Sequence, residues 1–350
     1  MIALIAVAVG CSAGETPSQP LRMSVPATMS PAGPPPLTTS IALPFDPMEL
    51  TFSPSVNKLY VIGMEGGPPL MKAFAVSLTT PTGQIERLDT AIKGVPDHIV
   101  INDKLRRGYA LMGGAIKVFG TDSDTLVSTS QTPSCSPEVL AINPATGMVY
   151  GGGVSQGGEC LVQFDPDGRI VRENTVAPNN SGKTVLVRSI AVDSASGDVL
   201  YMNALSVARA DSTLKEKWRT PLAGPGEGLA MGFEPTTNTA YVDVGADPII
   251  SPTRISVLDG DTGKAKGEFS GPGHSSDFAA TGDGRLFAAF HNSSDVYVLS
   301  RGASVLTKFA SLGNVPRQPS DWEWLEVDPA GHRLFVAPSG NGRNVLVYQY

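Results

Sequence analysis

Runs rich in Ala, Glu, Lys and Leu, the usual material of helices, are scarce in this chain, whereas Gly (38) and Pro (29) are abundant. That combination speaks against a helical fold and for many short strands joined by turns. An excess of positive charge is also missing. A net charge of -7 is not that of a nucleic-acid binder, and 41% hydrophobic residues in 350 allow a large core, unlike a disordered acidic tail. Aromatic content of 7% gives little sign of the broad exposed aromatic patch expected of an adhesive surface protein. Two catalytic signatures are lacking as well: there is no H-E-x-x-H and no G-x-x-x-x-G-K-[ST]. Gly182-Lys183-Thr184 resembles the end of a phosphate loop, but Ala177 and Pro178 stand where its first Gly would be needed, so this segment reads as a turn.

Long apolar runs are absent except at the amino terminus, where Met1 to Gly10 (MIALIAVAVG) is too short to span a bilayer yet has the length of a signal-peptide hydrophobic region. Ala8-Val9-Gly10-Cys11 resembles the lipobox of bacterial lipoproteins, in which small residues precede a Cys that is lipidated and becomes the new terminus. The expectation is a signal segment over 1–11, with Cys11 as the lipidation site and the membrane as a partner through that anchor. Residues 12–36 carry a Pro or Gly every few positions and no apolar periodicity. They read as a flexible linker that cannot bury a face.

From residue 37 to residue 350 a phrase recurs seven times: an apolar strand, a turn of Asn, Asp, Pro or Gly, then a second strand holding an aromatic. Its aromatic positions are Tyr60, Tyr109, Tyr150, Tyr201, Tyr241, Phe287 and Phe335, at intervals of 40 to 51 residues. Between them lie further alternating strands closed by tight turns, as in AIKVFGTDSDTLVSTS and RISVLDGDTGKAKGEF. A four-stranded meander repeated seven times predicts an all-β, seven-bladed β-propeller of antiparallel blades. The last unit offers only three strands. The orphan segment from Leu37 to Pro44 is therefore expected to pair with the final strand and close the ring, leaving no free edge there.

Phe52-Ser53-Pro54 with Leu59-Tyr60-Val61, and Val327-Asp328-Pro329 with Leu334-Phe335-Val336, resemble the "Ser-Pro-Asp-Gly … Leu-Tyr-Val" phrase of the YVTN-type propeller family of secreted bacterial proteins. LDGDTGKAKGEF is similar to the repeats of quinone-dependent dehydrogenase propellers. These resemblances imply a propeller outside the cytoplasm and assign no activity.

With Cys11 as an anchor, Cys135 and Cys160 remain as a pair. In the repeat frame one precedes the innermost strand of the third unit and the other begins that unit's third strand, on the same face, so a disulfide is expected.

Loops on that face converge on the mouth of the central channel, where propellers usually bind ligands. Glu49, Asp97, His98, Glu138, Arg188, Glu227, His274, Asp277, Trp322 and Glu323 stand at the starts of the innermost strands, and His291 follows a second strand. An acidic mouth would suit a cationic ligand or a divalent metal ion, with His274 and His291 as candidate nitrogen ligands. The plainer alternative is that these residues cap loops and solvate the opening, since no unit has tight metal-ligand spacing. The functional expectation is a membrane-anchored, extracytoplasmic (periplasmic or cell-surface) scaffold that binds a small ligand or an envelope protein, with no nucleic-acid partner. The alternative is a periplasmic propeller enzyme, either a quinone- or amine-dehydrogenase-like subunit or a metal-dependent lactonase or lyase.

Overall fold

The structure is a computed structural model that describes residues 37–65, 71–79, 84–156, 158–175, 186–222, 230–244, 253–291, 293–300, 305–312, 323–338 and 343–350. The predicted signal segment, Cys11 and the linker lie outside the described residues. No helix among them is long and apolar enough to cross a membrane.

The described chain forms seven four-stranded antiparallel sheets. Their innermost strands, blades 1 to 7 in order, are Asp46–Ser53, His98–Asn102, Ser136–Ile142, Val187–Val192, Met231–Glu234, Ser275–Ala280 and Glu323–Asp328. Each lies beside the next, and the seventh lies beside the first, so the ring is closed. Blade 7 is completed from the other end of the chain: Leu37–Ala42 pairs with Asn344–Gln349, with Ile41 opposite Val345. The expected closure by an amino-terminal strand is what the structure shows.

The core is divided into seven apolar clusters, each holding residues of two adjacent blades. This follows from the pleat. In the second strand of blade 1, Leu59 and Val61 face blade 7, while Tyr60 and Ile62 face blade 2. A strand covered on both sides favours apolar residues throughout, and all five residues of Leu286–Phe290 (LFAAF) are apolar and buried. The seven repeated aromatics all fall in second strands, and all are buried.

Three of these tyrosines also fasten blades together. Tyr60 Oη donates to Asp124 Oδ1 at 2.9 Å, Tyr109 Oη to the Pro166 carbonyl at 3.0 Å and Tyr150 Oη to the Gly197 carbonyl at 3.4 Å. Each acceptor belongs to a turn of the following blade. Burial, with Asp124 beside it, raises the Tyr60 pKa far above its ordinary value, so the hydroxyl keeps its proton and donates throughout the working range. Tyr60→Phe should therefore lower the unfolding free energy by about 1–2 kcal/mol in urea denaturation, the net worth of a bond to a charged group less the relief of desolvation. A change below the error of that measurement would show that Lys58, 2.6 Å from Asp124, suffices to hold the turn.

The disulfide is present: Cys135 and Cys160 are joined, with a Cα–Cα distance of 5.7 Å. It links the approach to the first strand of blade 3 with the start of its third and spans the second strand, Val149–Ser155. That strand reads VYGGGVS for a steric reason. A Cβ on Gly153 would sit 1.9 Å from the Ser136 carbonyl oxygen, and one on Gly152 would sit 2.5 Å from Val187 Cγ1 in blade 4.

Candidate functional site

The start of the inner strand departs from regular pairing in four blades. In blades 1, 3, 4 and 6 the pairing with the second strand slips at the same place, between Pro47 and Glu49, Pro137 and Val139, Val187 and Ser189, and Ser275 and Asp277. One extra residue is accommodated at each bulge: Met48, Glu138, Arg188 and Ser276. A bulge re-aims the side chains around it. The residue that follows reaches across the channel side to the next blade in three of the four cases. Glu49 Oε1 accepts the Ile99 N–H at 2.9 Å, Asp277 Oδ2 accepts the Leu325 N–H at 2.9 Å, and Ser189 Oγ donates to the Met231 carbonyl at 3.4 Å. Blade 7 has no such bulge, but Glu326 Oε1 accepts the Phe52 N–H of blade 1 at 3.2 Å.

Asp277, Glu326 and Glu49 thus form an acidic arc along consecutive blades 6, 7 and 1. Burial raises the Glu49 pKa to about 8; the Ile99 N–H opposes the rise, and the charges of Asp277, Glu326 and Asp97 add to it. Burial, with Asp277 and Asp328 nearby, raises Glu326 to about 8 against the Phe52 N–H. Asp277 is raised to about 7 by burial against two backbone N–H bonds, from Leu325 and Phe278. Glu49 nevertheless keeps 18% of its side-chain surface open, so the arc is not sealed from solvent.

Of the residues expected at the mouth, the structure brings Glu49, Asp97 and His98 together at the junction of blades 1 and 2. His98 Nδ1 lies 3.6 Å from Glu49 Oε1, and burial lowers the His98 pKa to about 4, which leaves the ring neutral. Asp97 is exposed and accepts the Gly113 N–H at 3.2 Å. Glu138 is exposed and Arg188 half-buried, each on its bulge. His274 and His291 are buried on the mouth side of blade 6, and the His291 N–H donates to the His274 carbonyl at 2.7 Å. His274 Nδ1 is 3.6 Å from Asp243 Oδ2, and Asp243 also takes the Thr253 hydroxyl and the Ser275 N–H. Glu323 is buried and accepts from Ser276 Oγ at 3.1 Å. Glu227 and Trp322 lie outside the described residues. Among the described residues no three His, Cys, Asp or Glu side chains gather as a metal-holding group.

Sequence reasoning missed Glu326 and Asp243. Both sit inside strands rather than in loops, and the available signal was a charge within an otherwise apolar alternation: LEVD in one case, AYVDV in the other.

Two grooves lie away from the mouth. One, of about 590 Å³, runs between Val127–Gln131 of blade 2 and the Asp167–Ile170 turn of blade 3. The other, of about 390 Å³, lies between blades 3 and 4 beside Tyr150 and Gln163. Their linings carry no concentration of titratable groups like that of the channel.

No protein family and no curated protein matches the sequence. Solved structures do match in shape. A chain from the crystal structure of a mitotic checkpoint complex superposes with a TM-score of 0.68 at 13% identity, covering 96% of this chain and 99% of that one. The β-propeller domain of Cps50 (Swd1) from Myceliophteria thermophila gives 0.66 at 12% identity, over 91% of this chain and 100% of that one. The WD40 repeats of RRP9 give 0.66 at 10% identity, over 90% and 98%. At such identities the likeness speaks for architecture alone, and it is to WD40 propellers: the chain is a seven-bladed β-propeller.

Proposed function

We propose that this chain is a non-catalytic binding scaffold of the cell envelope. Its ligand or protein partner docks at the acidic mouth, and the propeller is tethered through a lipid on Cys11 and the linker that follows. The observation that carries the docking face is the clustering of Glu49, Asp97, Asp277 and Glu326 on the channel side of blades 1, 2, 6 and 7; burial, with the neighbouring acids adding to it, raises the pKa values of Glu49 and Glu326. A cationic group entering there would relieve the repulsion among these acids. The matching neighbour in a mitotic checkpoint complex illustrates the same fold at work inside an assembly. The YVTN-like phrases and the lipobox-like start are the reasons for preferring a secreted setting.

The test uses the full chain at pH 8.5, above the raised values of Glu49 and Glu326, and a fluorescent tetralysine probe, with tetraglutamate as control. Tetralysine should bind and tetraglutamate should not, and E49Q/D97N should weaken binding at least tenfold. Equal binding by the double variant would move the site elsewhere. Stoichiometric metal in the purified protein would instead favour the alternative reading, a metal-dependent lactonase or lyase, and a visible cofactor spectrum would favour a quinone- or amine-dehydrogenase-like subunit. Globomycin-sensitive processing at Cys11 checks the anchor.

A further inference from the structure

We propose that the channel side of the ring from blade 6 round to blade 2 is a proton-sensitive latch, in which Asp277, Glu326 and Glu49 hold neighbouring blades together best as neutral acids and loosen them as carboxylates. This does not depend on what the mouth binds.

The geometry is a relay. Asp277 of blade 6 takes the Leu325 N–H of blade 7, Glu326 of blade 7 takes the Phe52 N–H of blade 1, and Glu49 of blade 1 takes the Ile99 N–H of blade 2. Three successive junctions therefore each carry, on their channel side, a bond between one carboxyl group and one inner-strand amide, and two of the three border blade 7, which is completed by Leu37–Ala42. Bonds from fixed N–H groups favour the ionised form. Burial and like charge disfavour it, and here they prevail. The groups facing Glu49 are Asp97, His98, Asp277 and Glu326; those facing Glu326 are Asp277 and Asp328. Among the described residues, no lysine or arginine is a leading influence on any of the three.

In the unfolded chain these groups ionise near their ordinary pKa of about 4. In the ring they keep their protons up to about 7 for Asp277 and about 8 for Glu49 and Glu326. Unfolding between those limits releases protons, so raising the pH favours the unfolded or opened ring, and the contribution is spent once the pH exceeds the folded values. His98 works in the opposite sense. Neutral in the ring down to about 4, it takes up a proton on unfolding below its ordinary value and erodes stability as the pH falls. Asp283, held well below its usual range chiefly by Arg285, likewise costs stability only on acidification through the carboxylate range. The latch is therefore read between pH 6.5 and 8.5, above the carboxylate window of Asp283, and the remaining tail of the His98 window is common to the natural protein and the variant and cancels in their comparison.

The experiment is urea denaturation of the full chain at steps across that interval, for the natural protein and for E49Q/D277N/E326Q, whose amides keep a carbonyl acceptor for each N–H. The natural protein should lose stability as the pH rises, and the triple variant should lose less than half as much. Hydrogen exchange gives a second readout that needs no variant: after correction for intrinsic rates, protection of the Ile99, Leu325 and Phe52 amides should fall at least tenfold between pH 6.5 and 8.5, and more than that of inner-strand amides in blades 3 to 5. If the triple variant folds and keeps the full pH dependence, or if those three amides hold their protection, the latch is overturned. If the variant does not fold, the exchange result alone decides.

Discussion

Replacing Arg209 with methionine should lower the unfolding free energy by about 3–5 kcal/mol, the usual result of stranding buried charges by removing their partner. Arg209 lies one residue before the end of the third strand of blade 4, Ser206–Ala210, and is 1% exposed. Its Nε donates to Asp198 at 2.7 Å, and Nη2 donates to Asp193 at 2.7 Å and to Ser196 at 3.0 Å. Nη1 crosses to blade 5 and donates to the Gly260 carbonyl at 2.8 Å. The guanidinium thus satisfies two carboxylates of its own blade and a turn of the next, a geometry that suits its planar array of donors. Lys217 also reaches Asp198, at 2.8 Å, but it is nearly half exposed, so it offsets part of the loss and the lower end of the range is expected. Adding Asp193→Asn and Asp198→Asn to Arg209→Met should restore at least half of the lost stability, because the stranded charges go with their partner. Urea midpoints of the two variants check both statements. A loss under about 1 kcal/mol for the single change would show that water reaches the carboxylates and that Arg209 is not a fastener.

Removing the disulfide should have an effect of similar size. In the chain-entropy picture a loop of this length, with a sequence separation of 25 between Cys135 and Cys160, constrains the unfolded chain by about 3–4 kcal/mol. The bond also holds two starts of strands in one blade, so C135A/C160A removes buried volume from the cluster shared with Tyr109 and Leu140. The double variant should unfold at a clearly lower urea concentration than the oxidised parent, and the fully reduced parent should fall close to it. Both sulfurs belong to residues no more than 2% exposed, so reduction of the folded protein should be slow and should quicken in mild urea. Identical midpoints for parent and double variant would mean that the bond adds nothing to stability.

The blade count and the closing strand were legible in the sequence because they depend on periodicity, and seven in-phase copies outweigh any irregular one. The cysteine pair was legible because the repeat frame assigns strand starts to faces. What the frame did not convey was the side chains' aim at the mouth. Glu49, Glu138 and Arg188 look equivalent in sequence, each a charge ahead of an apolar strand. The bulges break that equivalence: Glu138 and Arg188 are the extra residues themselves, while Glu49 lies one position beyond its bulge and reaches the next blade. A slip of one residue exchanges faces, and no composition rule marks where it occurs. His274 and His291, read as candidates for the mouth from their positions in the repeat, are buried on the mouth side of blade 6, where the His291 N–H meets the His274 carbonyl and His274 Nδ1 lies near Asp243. Glu326 was overlooked because a charge inside a strand is ordinarily taken for a solvent-facing residue, whereas in a propeller the inner strand's open side is the channel.

The pairing of Leu37–Ala42 with Asn344–Gln349 also orders the folding of the ring. Blade 1 can stack on blade 2, and each later blade on the last, before these two distant segments meet. Until they do, blade 7 lacks its outer strand and the open arc carries apolar faces at both ends. A chaperone that shields such faces while the arc is open should raise the yield of closed rings more than one that acts only on the closed ring.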